Sequence, residues 1–200
     1  LAMEVLGNFA SLEEEPEVQG DAPSIVTIML KEDGPTAIIR TMQARKMNSA
    51  ILKSGVNALS NIANDPEVTS SLVEGGQEDP EMDIVGITLE IMQMHDWDEE
   101  LMQHIVPLVA TLTYAKQAVI QLAENDGIPL LLNTLEQQMH ILQDLADDAI
   151  MTAEELEEKR EAASNTVSSA MLSLTNLAAA PEGREAFQVG DGVNILLGFM

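Results

Sequence analysis

One short pattern occurs three times in this chain, each time at the end of an apolar stretch with helical spacing. It consists of Leu, one further residue, Asn, an apolar residue and Ala, with the Asn at Asn8, Asn61 and Asn176. No strand-like segment separates the copies. A pattern that returns in a helical chain is typical of stacked repeats, in which each unit buries its apolar face against its neighbours. The sequence therefore favours a protein-binding surface over an active site.

The composition also favours helices. Apolar residues make up 46% of the 200 residues, whereas aromatic residues make up only 2%. A core of Leu, Ile, Val, Ala and Met suits helix-on-helix packing, because strands prefer aromatic and β-branched side chains. We therefore predict an all-α protein. Because the chain begins at Leu1 and ends at Met200 inside an apolar stretch, we interpret it as a piece of a longer protein.

The charge balance restricts the class of partner. Thirty-four acidic and nine basic residues give a net charge of −25. Such a surface repels phosphate backbones and anionic membranes, so we expect no nucleic acid and a protein partner with basic segments. No apolar run reaches the roughly 18 residues of a membrane span. The absence of Cys rules out disulfides and thiolate zinc sites and fits a cytoplasmic protein.

Glycine-containing turns divide the chain into units. They read Glu32-Asp33-Gly34-Pro35, Asn125-Asp126-Gly127-Ile128-Pro129 and Gly190-Asp191-Gly192-Val193, and they alternate with the Asn pattern. Each glycine is expected at a corner between two helices that requires a positive φ. Helices are predicted over 25–31, 36–43, 47–63, 68–74, 84–94, 101–114, 115–124, 130–145 and 162–180.

This alternation of turn and Asn pattern resembles the armadillo repeat family. The resemblance implies a right-handed α-solenoid of three-helix repeats. It predicts the end of a repeat at 1–12, a repeat at 24–64, a degenerate repeat at 68–114, a repeat at 115–180 with an acidic insertion at 144–161, and the start of a repeat at 182–200. The alternative is a generic helical bundle whose glycines are ordinary helix C-caps.

In armadillo proteins the third helices line a concave groove. By this resemblance Asn8, Asn61 and Asn176 bind the main chain of an extended partner, whereas the alternative is that each satisfies a neighbouring carbonyl or faces water. Importin-α-like proteins carry Trp four residues before this Asn. Those positions here are Glu4, Asn57 and Leu172, which argues against a receptor for nuclear signals.

Charge is unevenly distributed along the chain. Residues 54–115 contain twelve acidic residues and no Lys or Arg, while five of the nine basic residues precede this stretch. It is either a solvated face or a patch that steers a basic partner. The candidate contact residues within it are Asp96, Asp98, Glu99, Glu100 and Trp97. Trp97 is either an interface residue or a partly exposed anchor for the turn between two helices.

The segment 144–161 is interpreted as an insertion that is partly helical or disordered. It has no Gly, so it does not match a calcium-binding EF-hand loop. Thr152 and Glu155 match a capping box, which predicts a short helix over 153–163. The segment is also a candidate contact element.

No catalytic, metal or cofactor motif is present. His95, His104 and His140 lack metal-ligand spacing, and there is no nucleophile elbow, phosphate loop or dinucleotide fingerprint. We therefore expect a non-catalytic scaffold without a cofactor, which binds an extended and basic partner segment along the groove. The alternative is an architectural subunit of a large cytoskeletal or ciliary assembly.

Overall fold

The structure, a computed structural model, describes residues 25–147 and 151–189, and all regular secondary structure in these ranges is helical. The predicted all-α class is thus confirmed for these ranges. The segment 1–12 with Asn8 and the turn at 190–193 lie outside them. The helices are α1 (Ile25–Lys31), α2 (Gly34–Ala44), α3 (Ser49–Ile62), α4 (Pro66–Glu78), α5 (Ile84–Met94), α6 (Glu99–Leu112), α7 (Lys116–Glu124), α8 (Gly127–Asp147), α9 (Ala153–Ala179) and α10 (Pro181–Val189), with a 3₁₀ turn at Pro80–Met82.

Helices that are three positions apart in the chain pack against each other. In this way α3, α6 and α9 form one row, α2, α5 and α8 a second, and α4, α7 and α10 a third. The buried apolar side chains of all these helices belong to one continuous core cluster. We call α1–α3 the first unit, α4–α6 the second and α7–α9 the third.

The glycine corners differ from the prediction in one respect. The residues with positive φ are Asp33 (55°) and Asp126 (60°), and no described glycine has a positive φ. Gly34 and Gly127 follow them as the first residues of α2 and α8. A Cβ on Gly34 would lie 2.8 Å from the Met29 carbonyl oxygen, and one on Gly127 would lie 2.6 Å from the Leu122 carbonyl oxygen. These glycines are therefore needed for close approach of the backbone, not for a left-handed conformation.

The predicted end of the helix at residue 74 is also wrong. Helix α4 continues through Gly75 and Gly76 to Glu78. A Cβ on Gly76 would lie 2.8 Å from the Asp83 Cα, so this glycine allows the chain before α5 to pass directly against α4. The pair of glycines that reads as a helix break is a packing feature.

The capping box before α9 is confirmed. Thr152 Oγ1 accepts a hydrogen bond from the Glu155 backbone N–H, and the Glu155 carboxylate accepts one from the Thr152 N–H at 3.0 Å. The helix that it starts is not short, however. It runs without a break for 27 residues to Ala179, so the separate helices predicted over 153–163 and 162–180 are one helix. Helix α8 likewise extends to Asp147, and most of the predicted insertion is therefore a long helical hairpin.

Candidate protein-binding surface

The row α3, α6 and α9 carries a stripe of exposed and partly buried side chains, most of them polar, between its buried apolar positions. Its members recur at intervals of three or four residues, which places them on one face of each helix. We call this stripe the third-helix surface, and its members are Asn57 and Asn61 on α3, His104, Pro107 and Thr111 on α6, and Leu172 and Asn176 on α9.

One position of this surface is equivalent in all three units. Asn61, Thr111 and Asn176 each lie five residues before the first residue of the next helix. The second unit therefore has a hydroxyl where the others have an amide. The Thr111 hydroxyl donates to the Pro107 carbonyl at 3.2 Å. Thr111 does not match the Asn pattern, but its distance from the start of the following helix identifies it as the equivalent residue.

Both described asparagines of the predicted site also have contacts within the protein. The Asn176 Nδ2 donates to the Thr113 hydroxyl at 2.9 Å, across 63 residues of sequence. Thr113 is buried and its hydroxyl donates to the Ala110 carbonyl at 2.6 Å. Asn61 is partly buried and has an interaction of its own inside the protein. These contacts hold the two amides in place at the C-terminal ends of α3 and α9.

Four of the twelve acidic residues between 54 and 115 cap helices. Their carboxylates accept hydrogen bonds from backbone N–H groups at a helix start, where the helix dipole favours a negative charge. They are Asp65 at α4, Asp79 at the 3₁₀ turn, Asp83 at α5 and Asp98 at α6. These charges therefore have a local structural role.

Three further acidic residues pair with the basic residues of the first unit. The ion pairs, which we call the inter-unit ion pairs, are Arg40–Glu81 at 2.5 Å, Lys46–Glu90 at 2.5 Å and Lys53–Glu100 at 2.7 Å. They join α2, the loop that follows it and α3 to the second unit. The basic cluster and the acidic stretch that follow each other in the sequence thus face each other across one boundary.

The four predicted contact charges consequently fall into two kinds. Asp98 accepts a hydrogen bond from the Ser49 hydroxyl at 2.5 Å and caps α6, and Glu100 pairs with Lys53. Asp96 and Glu99 are exposed and have no ion pair within the described residues. Burial raises the pKa of Asp98, but the hydrogen bonds from Ser49 and the Leu101 N–H outweigh it, with help from nearby Lys53, so this pKa lies below its ordinary value.

Trp97 lies in the loop 95–98 between α5 and α6, and its side chain is 73% exposed. Its ring centroid lies 5.9 Å from that of His95. His95 is buried, and its Nε2 donates to the Lys46 carbonyl at 2.6 Å. This bond ties the loop 95–98 to the loop between α2 and α3.

The structure separates the predicted residues into two places. Thr111, which is equivalent to the asparagines, lies twelve residues along α6 from Glu99, which is roughly 18 Å at 1.5 Å per residue. Asp96, Trp97 and Glu99 therefore occupy one end of the third-helix row, and the equivalent amide positions occupy the other. A single short segment of a partner would contact one place or the other.

Clefts open between the described helices, and two of them are lined by acidic residues. One of about 370 Å³ lies between α5 and α7 and is lined by four carboxylates, those of Asp83, Glu90, Glu124 and Asp126. Another of about 220 Å³ lies between the start of α6 and the α8–α9 hairpin. Within the described ranges no three His, Asp or Glu side chains lie close enough to hold a metal ion.

Comparisons of the chain with protein-family models, with curated proteins and with solved structures found no match. The armadillo resemblance therefore stays a prediction. In the part of the chain that the structure describes, no helix combines the length and the apolar character needed to cross a membrane.

Proposed function

We propose that this protein is a non-catalytic, cytoplasmic scaffold of the armadillo type, which holds an extended, basic segment of a partner protein along the third-helix surface. The observation that carries the proposal is the row of Asn61, Thr111 and Asn176, one from each unit at an equivalent position. An extended chain presents main-chain donors and acceptors at regular intervals, and a side-chain amide can serve either.

The charge of the protein supports a basic partner. The net charge of −25 attracts cations over a distance, whereas the third-helix surface itself consists of neutral side chains. We therefore expect charge to act on the encounter and the amides to act on the lifetime of the complex. Association should slow as salt rises, because the Debye length shrinks from about 30 Å at 0.01 M to about 10 Å at 0.1 M.

The test begins with the partner, isolated by affinity capture and identified by mass spectrometry, and then measures its binding segment against variants. Asn61→Ala should speed dissociation, at a cost of about 1 kcal/mol for one lost hydrogen bond. Asn133→Ala, an exposed asparagine on α8 outside the row, is the matched control and should leave dissociation unchanged. An acidic partner, or equal rates for both variants, would contradict the proposal.

A second candidate, the architectural subunit of a cytoskeletal or ciliary assembly, is favoured by the length of the α8–α9 hairpin. Helices α8 and α9 have 21 and 27 residues, whereas the equivalent α5 and α6 have 11 and 14. The extra turns provide a lateral surface on which Glu157 and Glu158 are exposed. In this role Glu157→Lys with Glu158→Lys should abolish co-sedimentation with the assembly, while Asn61→Ala should have no effect.

A further inference from the structure

We propose that the loop 95–98 and the adjoining cleft between α6 and the α8–α9 hairpin bind a partner segment in which an arginine stands beside an apolar residue. This site is separate from the third-helix surface. It therefore holds whether or not that surface binds an extended chain.

The loop is fixed on both sides. The His95 imidazole, only 3% exposed, is bonded to the Lys46 carbonyl, and Asp98 binds both Ser49 and the start of α6. Trp97 thus stands on a rigid support, and binding to it would order little additional chain. Preorganisation of this kind raises affinity, because less conformational entropy is lost on binding.

The apolar groups around this loop are left in water. Trp97 is 73% exposed, and Met47, which follows the Lys46 that bonds His95, is 80% exposed. Met94, directly before His95, is 38% exposed. All three lie within two residues of His95 or of its partner Lys46. Exposed large apolar side chains near one another mark interaction sites, and Trp is among the residues enriched in interface hot spots.

The charges beside Trp97 select a cation. Asp96 and Glu99 flank it and have no ion pair within the described residues, in contrast to Asp98 and Glu100. The cations close by are the exposed Arg45, Lys46 and Lys53, which are paired with Glu90 and Glu100, and Lys159 on the far wall of the cleft. A guanidinium can stack on the indole and hydrogen-bond a carboxylate with two N–H groups, so arginine fits better than lysine.

The cleft between α6 and the α8–α9 hairpin provides a place for the apolar residue beside the arginine. It has a volume of about 220 Å³, and its wall combines the apolar side chains of Ile141, Leu145 and Met151 with the polar ones of Glu99, Gln103, Asp144 and Lys159. Glu99 lies two residues after Trp97 and so belongs to both parts of the site. A segment that bends at its arginine can therefore place that arginine on Trp97 and the neighbouring apolar side chain against the apolar part of the cleft wall.

Trp97 is the single tryptophan of the chain, so its fluorescence reports on this site alone. The probe is acetyl-Ser-Leu-Arg-Leu-Ser-amide, titrated against the full protein, with the citrulline and lysine peptides for comparison. The arginine peptide should give a saturable change, and the uncharged citrulline peptide should bind about tenfold more weakly.

Two double variants separate a local effect from the overall charge. Asp96→Asn with Glu99→Gln should weaken the arginine peptide about tenfold. Glu74→Gln with Glu78→Gln, exposed on α4, makes the same change in net charge and should bind as the unchanged protein does. Thermal melting by circular dichroism should be the same for both.

Three results would overturn the proposal: no fluorescence change, equal binding of the citrulline or lysine peptide, or equal loss in both double variants. Asn61→Ala should leave this titration unchanged. If Asn61→Ala changes the titration, the third-helix surface and the site at loop 95–98 are one site, and the proposal of a separate site is wrong.

Discussion

The Asn176 side-chain amide donates a hydrogen bond to the Thr113 hydroxyl at 2.9 Å and thereby joins the end of α9 to the residue that follows α6. Neither residue is near the other in sequence. The amide that the repeat pattern assigns to a partner is thus also a contact between the second and third units.

This contact predicts a loss of stability when Asn176 is replaced. Asn176→Ala should lower the free energy of unfolding by about 1 kcal/mol, as should Thr113→Val, each measured by urea titration. Because the two residues share one bond, the double variant should lose less than the two single losses added together. Strict additivity would show that the bond contributes nothing.

At the corner before α8, substitutions of Gly127 and Asp126 should differ in their effect on stability. Gly127→Ala should destabilise the protein by about 1–3 kcal/mol, because the new methyl group meets the Leu122 carbonyl, a backbone atom that has little room to move. Asp126→Gly should be close to neutral, because Asp126 has the positive φ that glycine adopts freely. Urea titration of both variants measures their free energies of unfolding. If Asp126→Gly is the more destabilising change, the glycine and not the aspartate has the positive φ at this corner.

The inter-unit ion pairs should contribute modestly and should weaken in salt. A double-mutant cycle of Lys53→Met and Glu100→Gln should give a coupling of about 0.2–1 kcal/mol, since Glu100 is well exposed. The coupling should vanish near 1 M salt, where the Debye length is about 3 Å. The same cycle with Glu99 in place of Glu100 is the control, and an equal coupling there would contradict the pairing.

His104 should make stability depend on pH. Burial lowers its pKa; Glu100 opposes this shift and Lys53 adds to it. The unfolded chain, with a His pKa of about 6.5, therefore binds the proton more readily than the folded protein does. The stabilisation is complete above that value and is lost as the pH falls through it towards the folded pKa.

His104→Gln should accordingly reduce the fall in unfolding free energy between about pH 8 and pH 5. His140→Gln, at an exposed position on α8, is the matched control. If both variants follow the pH dependence of the unchanged protein, the shift at His104 has no part in it.

Much of the local structure follows from the sequence. The residues alone predict the helical class, the helix at 25–31, the capping box of Thr152 and Glu155, and the position of the Asp-Gly corners. The reason is that helix formation and capping depend on groups no more than about four residues apart. The continuous α9 was missed because the charged residues near its start look like a loop, although the same residues are good helix formers.

The contacts between units were decided by the tertiary structure. Arg40 and Glu81 are 41 residues apart, and only the stacking of the second unit on the first brings them together. The same stacking uses Asp98 and Glu100 internally while it leaves Asp96, Trp97 and Glu99 exposed at one edge. The sequence by itself determined where helices begin and which residues can bind. Which of those residues already bind another side chain of the protein depends on distances between units, and no local interaction sets those distances.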